Sequence, residues 1–460
     1  MLSGLIVEIL NKIAPLIIIH VAQKRLGIEK LGYALFGISV IELVIPFILY
    51  GYNQYGVIAA GRNPRSTSKL MSGIFILKIC HFLILLGCLL SFFRFVPAYQ
   101  IYFPMMLPLS VILGFSILDT IWVQSASQKV TVSNVFIGIC RLVTLLLIVF
   151  FIKNSQDAVL FAILSLVGNA LVNVFSTFYS VLKFGLVQPD WSSVKSIFKA
   201  STPYSVIVIL NIVMERMDIF FAEHFGGLAG AGYYASTARL SHSLSQIANT
   251  IIAAFFSEMV VLSNQESLST HLKMSTWMLL FFLSPIVFGV WFVSGDILNF
   301  IFDESFRSVE NLLGWLFLST SFLLLATSFG QQVLLLRGQV KVFAIALASG
   351  IVLSSILTYF VGSISLNAIA IAMCAGKFLT MLIVIVSTRK SLGYFPFSIL
   401  LKTTLPGLIM SVFLYLLHLE HFLSKIAVGA LIFFISGYFL NQKEFSMLFS
   451  QTIQLIRRRK

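Results

Sequence analysis

Apolar segments of bilayer-spanning length follow one another from Leu5 to Leu440, joined by connectors too short to fold by themselves. A helix needs about 20 mostly apolar residues to cross the hydrocarbon of a membrane. The pattern predicts about fourteen such spans, near 4–22, 33–57, 70–93, 101–124, 133–152, 157–181, 202–224, 232–260, 272–295, 309–335, 342–361, 365–387, 400–418 and 422–440. Strands of a membrane barrel would alternate apolar and polar residues. The run Leu145-Leu146-Leu147-Ile148-Val149-Phe150-Phe151-Ile152 is apolar at every position, so the spans are helical.

Composition agrees with that reading. Of 460 residues, 58% are hydrophobic and 10% charged, with a mean hydropathy of +0.99, values that exclude a soluble globular domain of this length. An even number of crossings puts both termini on one side. The connectors after even-numbered spans, with the tail, hold eighteen Lys and Arg residues, among them Arg62, Arg65, Lys69, Lys183, Lys195 and Lys199; the opposite face holds seven. That asymmetry predicts both termini in the cytoplasm.

The net charge of +14 then reads as cytoplasmic loops held near anionic headgroups, with Arg457-Arg458-Arg459-Lys460 as a surface anchor, and not as a nucleic-acid interface. Cys80, Cys88, Cys140 and Cys374 all lie within spans, without CxxC or Cys/His spacing, so neither a disulfide framework nor a metal site is expected. Glu8 and Lys12 interrupt the first apolar stretch, and no basic segment precedes it, which predicts a retained first span.

No connector is long enough to form a soluble catalytic domain. The longest cytoplasmic one, around Lys183 to Ser201, follows the sixth span, where two six-helix lobes would be joined. Weak internal similarity points the same way: Lys12-Ile13-Ala14-Pro15 and Lys199-Ala200-Ser201-Thr202-Pro203 are each followed by Gly-Tyr, at Gly32-Tyr33 and Gly232-Tyr233. The expected architecture is an all-α integral membrane protein with two six-helix lobes around a central cavity, plus a C-terminal helix pair. Its divisions are an N-terminal lobe at 1–185, a cytoplasmic linker at 186–199, a second lobe at 200–390, the additional pair at 391–440 and a basic tail at 441–460.

Ionisable residues at membrane depth cost several kcal/mol unless they face a wet cavity or a partner, which makes each a candidate functional position. Lys78, Arg141, Arg216, Arg239 and Lys377 come from five different spans; gathered in one cavity they would form a cationic chamber suited to phosphate. The competing reading pairs these cations internally with Glu42, Glu215 or Asp218 to fix helix packing. Glu215-Arg216-Met217-Asp218 places three charges in four residues, so an acidic residue there is a candidate for proton or sodium coupling as well as for a static ion pair. Asp119, near a span end, is expected to reach the headgroups. No phosphate loop, HExxH or GxSxG is present, and the histidines are scattered singly, so no cofactor and no enzymatic activity are expected.

Three stretches are familiar in order and spacing. Leu49-Tyr50-Gly51-Tyr52-Asn53, then Ala59-Ala60-Gly61-Arg62 and Lys78, is similar to an aromatic-Gly-aromatic-Asn stretch with an Arg-ended exit and a third-helix Lys; Trp122-Val123-Gln124-Ser125 with Arg141 is similar to a Trp-x-x-Gln turn and a fifth-helix Arg. Gly230-Ala231-Gly232-Tyr233-Tyr234-Ala235-Ser236-Thr237-Ala238-Arg239-Leu240 is similar to a Gly-Tyr-Tyr-x-x-Ala-x-Arg/Lys signature. In these features the chain resembles O-antigen and capsule flippases of the polysaccharide transporter family, within the multidrug/oligosaccharidyl-lipid/polysaccharide exporter superfamily.

The resemblance implies alternating access that turns an undecaprenyl-diphosphate-linked oligosaccharide from the cytoplasmic to the periplasmic leaflet of the bacterial inner membrane, coupled to an ion gradient. Lys78, Arg141, Arg216, Arg239 and Lys377 would bind substrate, Glu42, Glu215 and Asp218 would couple ions or pair charges, and Arg62 would stand at the cytoplasmic entrance. Implied partners are that glycolipid, membrane lipids, and the polymerase and chain-length regulator of the same pathway. Three other readings stay open: a drug or organic-cation exporter of the same superfamily, whose cavity should be acidic and aromatic; a membrane-embedded sugar polymerase or glycosyltransferase, which should carry a large external loop; and a non-transporting membrane scaffold, against which the buried charges argue.

Overall fold

The computed structural model describes residues 2–127, 130–261, 265–392 and 397–446. The terminal basic run Arg457–Lys460 lies outside the described residues. Among those described, regular structure is entirely helical. Two compact units divide the chain, Met1–Ser236 and Thr237–Lys460.

The first unit opens with α1 (Leu2–Leu26), which stops at Gly27. Arg25 in its last turn donates to the backbone carbonyls of Val149 and Ile152, at the end of α7 (Val130–Phe151). Those carbonyls have no partner inside their own helix, and a guanidinium supplies both the donors and the positive charge that a helix C-terminus favours. The second span is broken. α2 (Ile28–Leu49) contains Pro46 and ends at Tyr50 and Gly51, both with positive φ, before α3 (Tyr52–Arg62) resumes.

The third span is unbroken, as α4 (Thr67–Phe95). The fourth is broken too: α5 (Phe103–Gly114) runs into a 3-10 turn at Phe115–Leu118, the chain extends at Asp119, and α6 (Ile121–Ala126) follows. α8 (Ala158–Phe184) begins after a capping box in which Asn154 Oδ1 accepts from the Gln156 N–H and the Asp157 carboxylate from the N–H groups of Lys153 and Asn154.

A helix begins as early as Trp191, within the connector expected as a linker, and α9 runs from Trp191 to Val261 with one non-helical residue, Gly227 (φ 62°, ψ −160°). The preceding stretch is stitched to the start of α4: Ser68 Oγ donates to the Gly185 carbonyl, the Val187 N–H donates to Ser72 Oγ, and Lys69 Nζ meets Asp190 at 2.7 Å.

The second unit holds α10 (Gln265–Ile301), α11 (Glu310–Phe329) with a π-helical turn at Gly330–Leu335, α12 (Val340–Val361), α13 (Leu366–Leu392), α14 (Phe397–Leu417) and α15 (Phe422–Leu440). In that turn, buried Gln332 donates to the Ile252 carbonyl and to Ser275 Oγ, bonds that satisfy polar groups a wide turn exposes. The final pair α14–α15 packs on α10 through Met410, Leu414 and Phe433 against Phe281 and Phe288. Asn441 locks that pair: its Oδ1 accepts from Trp277 Nε1 at 3.0 Å and its Nδ2 donates to the Lys402 carbonyl at 3.1 Å. Among the described residues, ten helices, with their continuations, are long and apolar enough to cross a membrane; α1, α7 and the two parts of α9 complete fourteen helical segments near the positions the hydropathy pattern predicts.

Two predictions follow from these ties. Asn441→Ala leaves the buried Trp277 N–H and the Lys402 carbonyl unpaired, costing about 1–3 kcal/mol, read as a lower melting temperature in detergent. At Asp190, Lys69, assisted by the Ser193 N–H and the Ser192 hydroxyl, holds the carboxyl well below the usual carboxylate range. A depressed folded-state pKa contributes stability above the unfolded value, near about 3.9, and loses it as pH falls through the folded value. Pepsin cleavage at 185–190 should therefore accelerate on acidification from about pH 4 to about pH 2 in the wild type, and should already be fast at about pH 4 in Asp190→Asn.

Candidate functional site

The break in the fourth span exposes backbone groups at a depth without water, and three polar side chains close on it. Lys78, fully buried on α4, donates from Nζ to the Asp119 backbone carbonyl at 2.6 Å and stands 3.5 Å from Asn53 Oδ1. Asn53 Nδ2 donates to Asp119 Oδ2 at 2.7 Å, and the Ile121 N–H donates to Asp119 Oδ1 at 3.1 Å. Asp119 thus neutralises Lys78 while starting α6, and does not reach toward headgroups. Thr120, Gln124, Ser176 and Ser180 form a second, buried hydroxyl–amide chain beside it.

The motif residues of the second and fourth spans meet at this knot. Tyr52 and Trp122 share one buried cluster with Leu70, Met71 and Ile74, and a Cβ on Gly56 would press into the Trp122 ring. Burying one charge pair with its hydrogen bonds satisfied is the condition for tolerating it at this depth. Asn53 and Asp119 are the residues sequence reasoning did not place here. Their available signal was an Asn and an Asp at the two interrupted spans that flank a buried Lys.

A second cluster joins the second and seventh spans. Arg216 Nη1 lies 3.0 Å from Glu42 Oε2, with about a quarter of each side chain exposed. The contact is close but off-axis: neither Glu42 Oε2 nor Arg216 Nε finds a hydrogen-bond partner. Glu215 and Asp218 are within electrostatic reach of the same guanidinium. Asp218 is buried and accepts from the Ile219 N–H at 2.9 Å and from the Tyr234 hydroxyl at 3.3 Å, which gives the second tyrosine of the Gly-Tyr-Tyr signature its role. Three carboxylates around one guanidinium make this cluster acidic, whereas the expectation from charge alone was a cationic chamber.

The remaining candidates are placed as follows. Arg141 is half-buried on α7, and Arg62 is exposed at the end of α3. Arg239 and Lys377 belong to the second unit. Arg239 is half-buried on α9. Lys377 is 2% exposed on α13, one turn from Cys374, and its Nζ has no hydrogen bond or ion pair among the described residues. No group of His, Cys, Asp and Glu suited to a metal ion occurs among the described residues.

Comparison with known proteins gives fold-level likeness. No protein-family model matches the chain, and no curated protein matches it. Among solved structures, the lipid II flippase MurJ in an inward closed conformation superposes with a TM-score of 0.77 at 17% identity, covering 96% of this chain and 99% of that one. An inward-facing multidrug resistance MATE family transporter of the MOP superfamily gives 0.61 at 13% identity, covering 85% and 98%. A MOP superfamily transporter from Pyrococcus furiosus, described as having a binding pocket of reverse polarity, gives 0.57 at 13% identity, covering 85% and 94%. The chain shares the fold of these solved structures.

The Lys78 knot predicts its own energetics. Lys78→Ala removes the charged donor to the Asp119 carbonyl and should cost about 1.5–3 kcal/mol, seen as a fall in folded, monodisperse protein. Asp119→Asn, which keeps the backbone carbonyl in place, should cost less.

Proposed function

We propose that this chain translocates an amphipathic, lipid-linked substrate across a bacterial inner membrane, with an undecaprenyl-diphosphate-linked oligosaccharide as cargo. The observation that carries this reading is the extent of the flippase match. The lipid II flippase match covers 96% of the chain, whereas the MATE transporter matches cover 84% to 88%. Supporting it, Lys377 is a deeply buried ammonium without an anionic partner among the described residues, the state expected of a cation that serves a ligand and not the fold. Arg141 and Arg239 are proposed as further phosphate-handling groups, Arg62 as the cytoplasmic approach, and both termini as cytoplasmic.

Arg216 then acts as an exchangeable cation. Glu42 holds it loosely and off-axis, so a substrate pyrophosphate presenting several oxygens in a fork-compatible geometry competes well for it. Asp218, buried beside it with a tyrosine hydroxyl and a backbone N–H as its donors among the described residues, is the proposed carrier of a coupling proton or ion.

One observation favours a second reading. The acidic balance around Arg216 suits an organic cation, as a drug exporter of this fold would require. Deleting the gene separates the two: trapped lipid-linked oligosaccharide on the cytoplasmic leaflet supports the flippase, and hypersensitivity to cationic drugs without such trapping supports the exporter.

Arg141→Ala, Arg239→Ala and Lys377→Met should each lower translocation about tenfold or more while leaving the amount of inserted protein unchanged, since a charged hydrogen bond contributes about 1.5–3 kcal/mol. Lys in place of either Arg should restore little if both arms of the fork bind phosphate. Equal loss of protein level would assign these residues to the fold.

A further inference from the structure

Two glycine-bearing turns of this chain are copies of each other. Gly27, Ile28, Gly32 and Tyr33 recur as Gly227, Leu228, Gly232 and Tyr233, a register of 200 residues. The backbone repeats with the sequence: Gly27 has φ 74° and ψ 166°, Gly227 has φ 62° and ψ −160°, a region open essentially to glycine alone. Each glycine separates one span from the next helix, and the two helices that follow cross each other inside the first unit.

The crossing is reciprocal. A Cβ on Gly32 would overlap the carbonyl oxygen of Leu228, and a Cβ on Gly232 would overlap the carbonyl oxygen of Ile28. Residue 32 meets 228 and residue 232 meets 28, the pattern of a two-fold, self-complementary contact. Small residues allow two backbones this close: Gly32 meets only backbone of the other turn, and Gly232 meets the Ile28 carbonyl with the Ile28 side chain beside it. Deeper along α2 lie two further contacts, made with the helix that precedes Gly227: Phe36 against Phe220 at 5.2 Å and, below it, Glu42 with Arg216. Tyr102, packed on Phe36, donates to Glu223 at 2.8 Å.

We propose that the Gly32/Gly232 crossing is a releasable latch, a backbone-to-backbone closure over the Phe36 and Arg216 layers that parts when the protein opens toward the face bearing Gly27 and Gly227. A glycine crossing suits that task because it has close packing when shut and, at the glycines themselves, only the Ile28 side chain beside Gly232 to slide free when it opens. The inference rests on the reading of the chain as a transporter but not on what it carries, and its test uses no substrate.

The test is thiol labelling in detergent, with the four native cysteines replaced and Phe36→Cys as reporter. Gly32→Val should wedge the crossing apart and raise the maleimide labelling rate at position 36 about tenfold or more. Joining Glu29→Cys to Ala229→Cys with a bifunctional thiol reagent reaching about one helix diameter, ~10–12 Å, before the reporter is labelled should lower that rate at least as much, with a monofunctional reagent of the same chemistry leaving it unchanged. Should Gly32→Val fail to fold, the cross-linked protein, which keeps both glycines, decides. A labelling rate at position 36 indifferent to the cross-link would overturn the latch, whatever the cargo proves to be.

Discussion

Hydrocarbon offers no hydrogen bonds, and the organisation of this protein follows from how it meets that constraint where its helices are broken. An unbroken helix satisfies its own backbone. A broken one exposes N–H and C=O groups that must be answered by side chains, each of which must itself be neutralised. At the interrupted fourth span the answer is Lys78 on the Asp119 carbonyl, with the Asp119 carboxylate returning through Asn53. The break, the buried cation and the two flanking motifs are one interaction, and removing any member leaves the others unpaid in a medium that supplies no substitute.

The same constraint separates two kinds of buried charge. Lys78 is enclosed and hydrogen-bonded, which marks it as part of the scaffold. Arg216 is held off-axis by Glu42 with its Nε unpartnered, and Lys377 is buried without an ion pair among the described residues. Charges kept in such incomplete arrangements carry a standing cost. They are tolerated where a ligand or an ion completes them in another state, which is why the functional reading rests on these residues and not on Lys78.

The second span is joined to the seventh and to the start of the eighth at graded strength. Near the Gly27 and Gly227 turns the contact is backbone on backbone, below it aromatic on aromatic, and deeper still guanidinium on carboxylate. Polarity rises with depth, so the most charge-sensitive contact lies farthest from that face. An anion that competes for Arg216 therefore acts on the innermost layer of a stack whose outermost layer is closed mainly by backbone.

Much of this was legible in the chain itself. Uninterrupted apolar runs of about 20 residues leave few alternatives to spanning helices, so the helical segments and the all-α class follow from local composition. The charged positions inside the spans were equally visible, because their cost depends only on depth. Which charge meets which does not. That Lys78 finds Asp119, that Tyr234 reaches Asp218, and that Gly32 and Gly232 lie against each other's chain are consequences of how distant helices pack. Sequence patterns record the period and depth of a residue, but its neighbours across a helix interface are set only when the backbones have crossed.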